Sequence, residues 1–190
     1  MTAVDPRVRR TRHQLREALV ASILERGWDS ISIKEVCERA EIGRSTFYVH
    51  FADKEELLLS GFDDLHNALD RGRLAADRPF AFVGPLVAHA NDNLRLFRAL
   101  LGKRSGQAVQ RRFREVVSGL VEADLVRVGA DENEVRWVAR YISGGLVELL
   151  MTWLDRPTAV DVATLVALFR RLSRGVLRSA GVTTAAMRGR

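Results

Sequence analysis

The chain has 190 residues, a net charge of +6 and one cysteine. That length can bury a sizeable core. It contains no apolar run of the 18 or more residues that a membrane-spanning helix needs, and a lone Cys37 excludes a disulfide framework or a cysteine-based zinc cage. The basic N-terminus lacks the apolar stretch of a secretory signal, so the expected compartment is the reducing cytoplasm. Excess positive charge favours an anionic partner, usually nucleic acid. The charge is unevenly spread: residues 1–60 are neutral overall, yet Arg7, Arg9, Arg10, Arg12 and Arg16 face only Asp5.

Helical periodicity dominates the chain, which predicts an all-α fold. A first helix is expected from about 7 to 26, with Leu15, Leu19 and Ile23 as its apolar stripe and Gly27 as its stop. A short helix follows over 33–40. Ser32 and Glu35 form a capping box at its start, and Ile31 with Val36 a hydrophobic staple. Residues 41–43 turn the chain into a third helix over 44–49. Asp53 and Glu56 make a second capping box and begin a long helix that ends near Gly72. Pro85 suits the first turn of a helix running to Leu101. Residues 102–106 break the pattern. Further helices are expected over about 107–128, 132–154 and 158–180, the second capped by Asp131 and the third preceded by Pro157 and Thr158. Residues 181–190 read as a frayed end.

Two short helices joined by a tight turn, over 32–54, are the frame of a helix-turn-helix. The second offers Arg44, Ser45, Thr46, Tyr48 and His50, a narrow face of donors suited to a major groove. Phe47 and Phe51 can hold that helix on Val36 and Leu15. Lys54, in the first turn of the next helix, suits a phosphate clamp. Outside this context, Tyr48 and His50 read as ordinary surface residues, the arginine arm as a solvated charge run, and Cys37 as a small core residue.

The stretch from Ile33 to Leu57, with Thr46-Phe47-Tyr48-Val49-His50-Phe51 followed by Lys54-Glu55-Glu56-Leu57, resembles the TetR family of regulators. The resemblance covers about residues 7–58. It implies an N-terminal three-helix DNA-binding domain, residues 1–52, and a helical regulatory and dimerisation bundle, residues 53–190. By position it implies DNA contacts from Lys34, Arg44, Ser45, Thr46, Tyr48, His50 and Lys54. It also implies repression from a palindromic double-stranded DNA operator by a homodimer that a small-molecule effector releases. This chain has Glu41 and Gly43 where the family often has a turn glycine and a capping Ser or Asn. Glu41 at a left-handed position is strained by ~1 kcal/mol, enough to favour a locally rebuilt turn. Segments 93–104 and 141–154 resemble the family's C-terminal domains more weakly.

Helical spacing gathers Phe62, Phe82, Phe97, Trp137 and Tyr141 as candidate lining of a ligand cavity, with His66 or His89 as its polar handle. The same aromatics equally suit a solid core. Gly144 and Gly145 inside an apolar helix suggest close approach of another helix, from the same chain or from a second subunit. With Leu146, Leu149, Leu165, Leu168 and Leu172 they form the candidate dimer interface. Asp63, His66 and Asp70 share a helix face but read as solvated rather than as a metal site, and Arg111, Arg112 and Arg114 likewise. No catalytic motif, metal site or cofactor is expected. The rival readings are an all-helical small-molecule enzyme and a DNA-binding dimer without a ligand.

Overall fold

The computed structural model describes residues 5–76, 78–101, 107–157 and 159–180; the expectations at Asp77, residues 102–106, Thr158 and residues 181–190 lie outside them. The described residues form α-helices with no strand: α1 (Pro6–Arg26), α2 (Ile33–Arg39), α3 (Arg44–His50), α4 (Lys54–Leu74), α5 (Val83–Asp92), α6 (Leu94–Leu101), α7 (Gln107–Arg127), α8 (Val135–Asp155) and α9 (Val162–Ser179). Helices α1, α2 and α3 pack as one unit. α4 leaves it, running along α1 and then α7, while α8 is held between α7 and α9. The buried side chains form one continuous core from Leu15 in α1 to Leu177 in α9.

Local sequence sets most boundaries. Asp5 accepts the Arg7 N–H at 2.8 Å, and Pro6 opens α1. Gly27, at φ 78°, closes it by donating to the Ile23 carbonyl, a conformation that costs glycine little. The Ser32–Glu35 capping box is complete: Glu35 N donates to Ser32 Oγ and Ser32 N to Glu35 Oε2. The second box closes differently. Glu56 N donates to Asp53 Oδ1 at 2.7 Å, but the Glu56 carboxylate accepts from Ala52 N.

Three expectations are corrected. The helix expected to run from Pro85 to Leu101 is broken at Asn93, whose Nδ2 and backbone N both donate to the His89 carbonyl. This is the competition between a short amide side chain and the helical ladder that favours Asn at ends. Helix α8 begins at Val135, because the Asp131 carbonyl accepts both Glu134 N and Val135 N in a turn while its side chain is taken by Asn133. Helix α9 begins at Val162 and is capped by Asp161, which accepts Thr164 N at 2.7 Å.

No periodicity foretold the link from α4 to α5. Asp124 of α7 is fully buried. Its Oδ1 accepts from Arg73 at 3.1 Å and Arg127 at 3.0 Å, and its Oδ2 accepts the Phe80 N–H at 2.6 Å. Arg127 also donates to the Ala76 and Arg78 carbonyls. Phe80 takes φ 58° and sets its ring edge-on to Phe169 at 5.8 Å. One carboxylate thus gathers the end of α4, the link and α7. Asp124→Ala leaves Arg73 buried without this partner, and the expected loss is ~3–5 kcal/mol of unfolding free energy, read by urea titration.

Candidate nucleic-acid interface

Helix α3 stands on a packed base. Phe47 and Phe51 are buried against the core that holds Leu15, Leu19 and Val36. The turn before α3 is not rebuilt. Glu41 adopts φ 55°, Ile42 N donates to Cys37 O and Glu41 N to Glu38 O. Those are the two bonds of a Schellman ending, normally made with glycine, so this turn carries the strain of a side chain in the left-handed region. Gly43 caps α3 without a side-chain bond, through extended backbone at φ −62°.

Arg44, Ser45, Thr46, Tyr48 and Val49 are exposed on α3, and His50 is half-buried. Tyr48 meets Phe47 edge-on at 5.4 Å, which orients its ring. Val49, 78% exposed, is the residue that sequence reasoning missed. It follows Ser45 by four positions, so it shares that face of the helix. Lys34 is exposed on α2, 3.8 Å from Glu38. Of the N-terminal arginines, Arg7, Arg9 and Arg10 are exposed, Arg12 lies over the Phe51 ring at 4.9 Å, and Arg16 pairs with Asp64 of α4.

Behind this face the unit is braced by Arg26–Glu35 and Arg39–Glu25 pairs at 2.6 Å. The Ser32 N–H, the Arg26 guanidinium and the Ser32 hydroxyl together bring the Glu35 carboxyl down to about 2. Burial pushes the Cys37 thiol up, which suits a core residue and not a reactive thiolate.

Lys54 departs from the expected phosphate clamp. Its Nζ donates to the Ile31 carbonyl at 2.8 Å and the Trp28 carbonyl at 3.0 Å, and lies 4.6 Å from the Trp28 ring centroid. An ammonium so engaged ties α4 to the segment between α1 and α2 and is not presented to an outside anion.

The residues proposed for ligand and dimer divide. Phe62, His89 and Phe97 line one cavity of about 120 Å³ between α1, α4, α5 and α6. Phe113 meets Phe62 and Phe97 at 6.0 and 6.1 Å. Phe82 is fully buried away from this lining, and His66 is half-buried outside it. Trp137 and Tyr141 are 74% and 71% exposed on α8 and cannot line an interior site of this chain, which corrects the ligand assignment for both. Gly144, Gly145, Leu149 and Leu172 line a groove between α8 and α9, with Leu168 half-buried on α9. Leu146 and Leu165 are buried in the chain's own core, so they support that face from beneath and do not form it. A Cβ on Gly144 or Gly145 would meet nothing within 4 Å, so packing within the chain does not require these glycines. Asp63 and Asp70 each pair with an arginine, Arg112 and Arg73.

A profile described as bacterial regulatory proteins, tetR family, matches residues 15–60. The chain is 36% identical over 104 residues to the transcriptional regulator TcmR of Streptomyces glaucescens, a match covering 53% of this chain and 42% of TcmR. It is 26% identical over 183 residues to the transcriptional repressor KstR of Mycolicibacterium smegmatis, covering 88% of each. Residues 15–60 therefore carry the segment that marks bacterial regulatory proteins of the tetR family. The chain's fold is shared with solved tetR-type structures. A TetR transcriptional regulator from Streptococcus agalactiae 2603V aligns with a TM-score of 0.68 at 23% identity, covering 89% of this chain and 96% of that one. RolR in complex with resorcinol aligns at 0.58 and 23%, covering 96% and 93%. The tetR match ends within α4, past the Lys54 tie. Replacing Lys54 by Met leaves the Trp28 and Ile31 carbonyls without their donor and should cost ~1–3 kcal/mol in an unfolding titration without DNA, as a phosphate contact alone would not.

Proposed function

We propose that the chain is a DNA-binding transcription regulator, a homodimeric repressor that a small-molecule effector releases from a palindromic operator. The observation that carries the reading is the exposed polar face of α3, held on a buried Phe47–Phe51 base inside the segment that matches the tetR profile. On this reading residues 1–52 read DNA and residues 53–190 dimerise and sense. Arg44, Ser45, Thr46, Tyr48, Val49 and His50 enter the major groove, where hydroxyl, guanidinium and imidazole groups reach base edges or phosphates and the Val49 methyls suit a thymine methyl. Lys34 and the exposed arginines of α1 hold the backbone.

Palindromic recognition needs two such helices about 34–36 Å apart, one helical turn of DNA. The α8–α9 face supports a second copy as the partner. It pairs the open groove at Gly144 and Gly145 with exposed Trp137, Tyr141 and Leu172, and apolar exposure of this kind marks an interface. KstR is named a repressor, and RolR is described with a small aromatic ligand. The first supports repression here and the second a small-molecule effector. The effector must bind the DNA-competent and released arrangements differently, or no operator is released.

Selection of bound fragments from random DNA tests the reading, by returning an operator whose symmetry matches a dimer. Tyr48→Ala should weaken binding to that operator by ~1–3 kcal/mol in a titration at fixed salt and leave the melting temperature unchanged. Gly145→Leu should fold, because the space above Gly145 is open in the single chain. It should sediment as a monomer, because the added side chain keeps a second copy from approaching; an intact dimer would move the interface elsewhere.

A further inference from the structure

Three arginines gather where the link from α4 to α5 crosses α9. Phe80 sets its ring edge-on to Phe169, which brings the link against α9 one residue before Arg170. Arg78 lies two residues before Phe80, and its carbonyl accepts from Arg127, so the backbone that carries it is pinned. Arg170 and Arg174 stand one turn apart on a shared face of α9. Arg78 and Arg174 are exposed, and Arg170 is half-buried. None of the three forms an ion pair among the described residues. α9 carries no acidic side chain from Val162 to Ser179, and Asp124, which holds the link, is already engaged by Arg73, Arg127 and the Phe80 N–H. The Arg170 Nε is buried without a partner; its Nη groups make no hydrogen bond either but are not closed off from solvent. Burial, and then the charges of Arg78 and Arg174, pull this guanidinium below its ordinary value. It stays ionised even so. A solvated arginine stripe would keep its members apart, whereas here a half-buried cation feels both others. Such a cluster calls for an anion. A carboxylate brings one charge; a phosphoryl group brings nearly two, with three acceptor oxygens that suit guanidinium forks. Operator DNA on α3 is not that anion. α4 runs roughly 30 Å from the Lys54 tie to Arg73, and α9 packs chiefly on α5 and α8, at the end of the bundle away from α3.

We propose that Arg78, Arg170 and Arg174 form a binding site for a phosphoryl group borne by a soluble phosphate compound. Its oxygens accept from the Nη–H groups of Arg170 and Arg174 on α9 and from the guanidinium of Arg78 on the link. The bound anion ties the link to α9 and removes the repulsion among the three cations. It acts on the stability of that end of the bundle, and the site stands whether or not α3 reads DNA.

The experiment uses the full chain and inorganic diphosphate as probe, with acetate as the singly charged comparison. In calorimetry at low salt, diphosphate should bind at one site per chain, at least roughly tenfold tighter than acetate. At a hundred times its dissociation constant it should raise the melting temperature by roughly 5–10 °C. Arg174→Gln should weaken diphosphate about tenfold and remove most of the melting shift; Arg174 is exposed, so this variant keeps the fold if Arg170→Gln does not. Arg95→Gln, which takes the same charge from the exposed side of α6, should leave both readings unchanged. Absence of diphosphate binding at millimolar concentration, or equal losses from Arg95→Gln and Arg174→Gln, overturns the site. Equal affinity for acetate overturns the phosphoryl assignment. Phosphatidylglycerol vesicles or a non-operator duplex that hold the chain through Arg174, and that diphosphate does not displace, overturn the soluble ligand in favour of a macromolecular surface.

Discussion

A single ammonium group orients everything that follows the reading unit. Lys54 Nζ grips the Trp28 and Ile31 carbonyls and rests on the Trp28 ring. Those carbonyls belong to the short segment between α1 and α2, which has few helical partners of its own. Supplying their donor from the first turn of α4 closes the three-helix unit and sets the direction of a 21-residue helix at once. A lysine serves here because its flexible stem lets one compact charge donate to two acceptors from outside the segment.

From that anchor α4 is held twice more. Arg16 reaches it from α1 through Asp64, and Arg73 near its far end is locked to Asp124 of α7. The first tie is solvent-accessible and the second buried, so they differ in kind. An exposed pair contributes little and exchanges easily; a buried carboxylate with all its partners in place is costly to disturb. The far end of α4 is therefore held more firmly than the part beside Arg16. α6 packs against α1 and is itself joined to the end of α8, where Arg98 donates to the Leu154 carbonyl at 2.6 Å. A short chain of packed elements thus connects α1 with the helix that carries Gly144 and Gly145.

The outward faces divide by chemistry. The α3 face is mostly polar, with Arg44, Ser45, Thr46 and Tyr48 exposed around Val49. The α8–α9 face is apolar, with its glycines open and Trp137 and Tyr141 exposed. A hydroxyl-rich face meets a polar groove at low desolvation cost, whereas indole and phenol rings gain by leaving water.

The sequence alone determined the helices, the reading unit and its polar face. Those features are written in local chemistry: caps at Ser32 and Asp53, the 3.6-residue apolar stripe of α1, and consecutive hydroxyl and basic residues on α3. Tertiary structure decided what the remaining polar and aromatic residues do. Lys54 reads as a phosphate ligand in one dimension and proves to be a structural tie, because its partners lie 23 and 26 positions away. Asp124 looks like any helix-surface carboxylate, and only the return of the chain at Phe80 shows it to be the centre of the α4–α7 junction. Trp137 and Phe62 were indistinguishable as helix-face aromatics; the fold leaves Trp137 of α8 in solvent and buries Phe62 of α4 against Phe113 of α7. Spacing along a helix fixes which residues share a face, but burial depends on which helix arrives opposite, and that is a property of the whole chain.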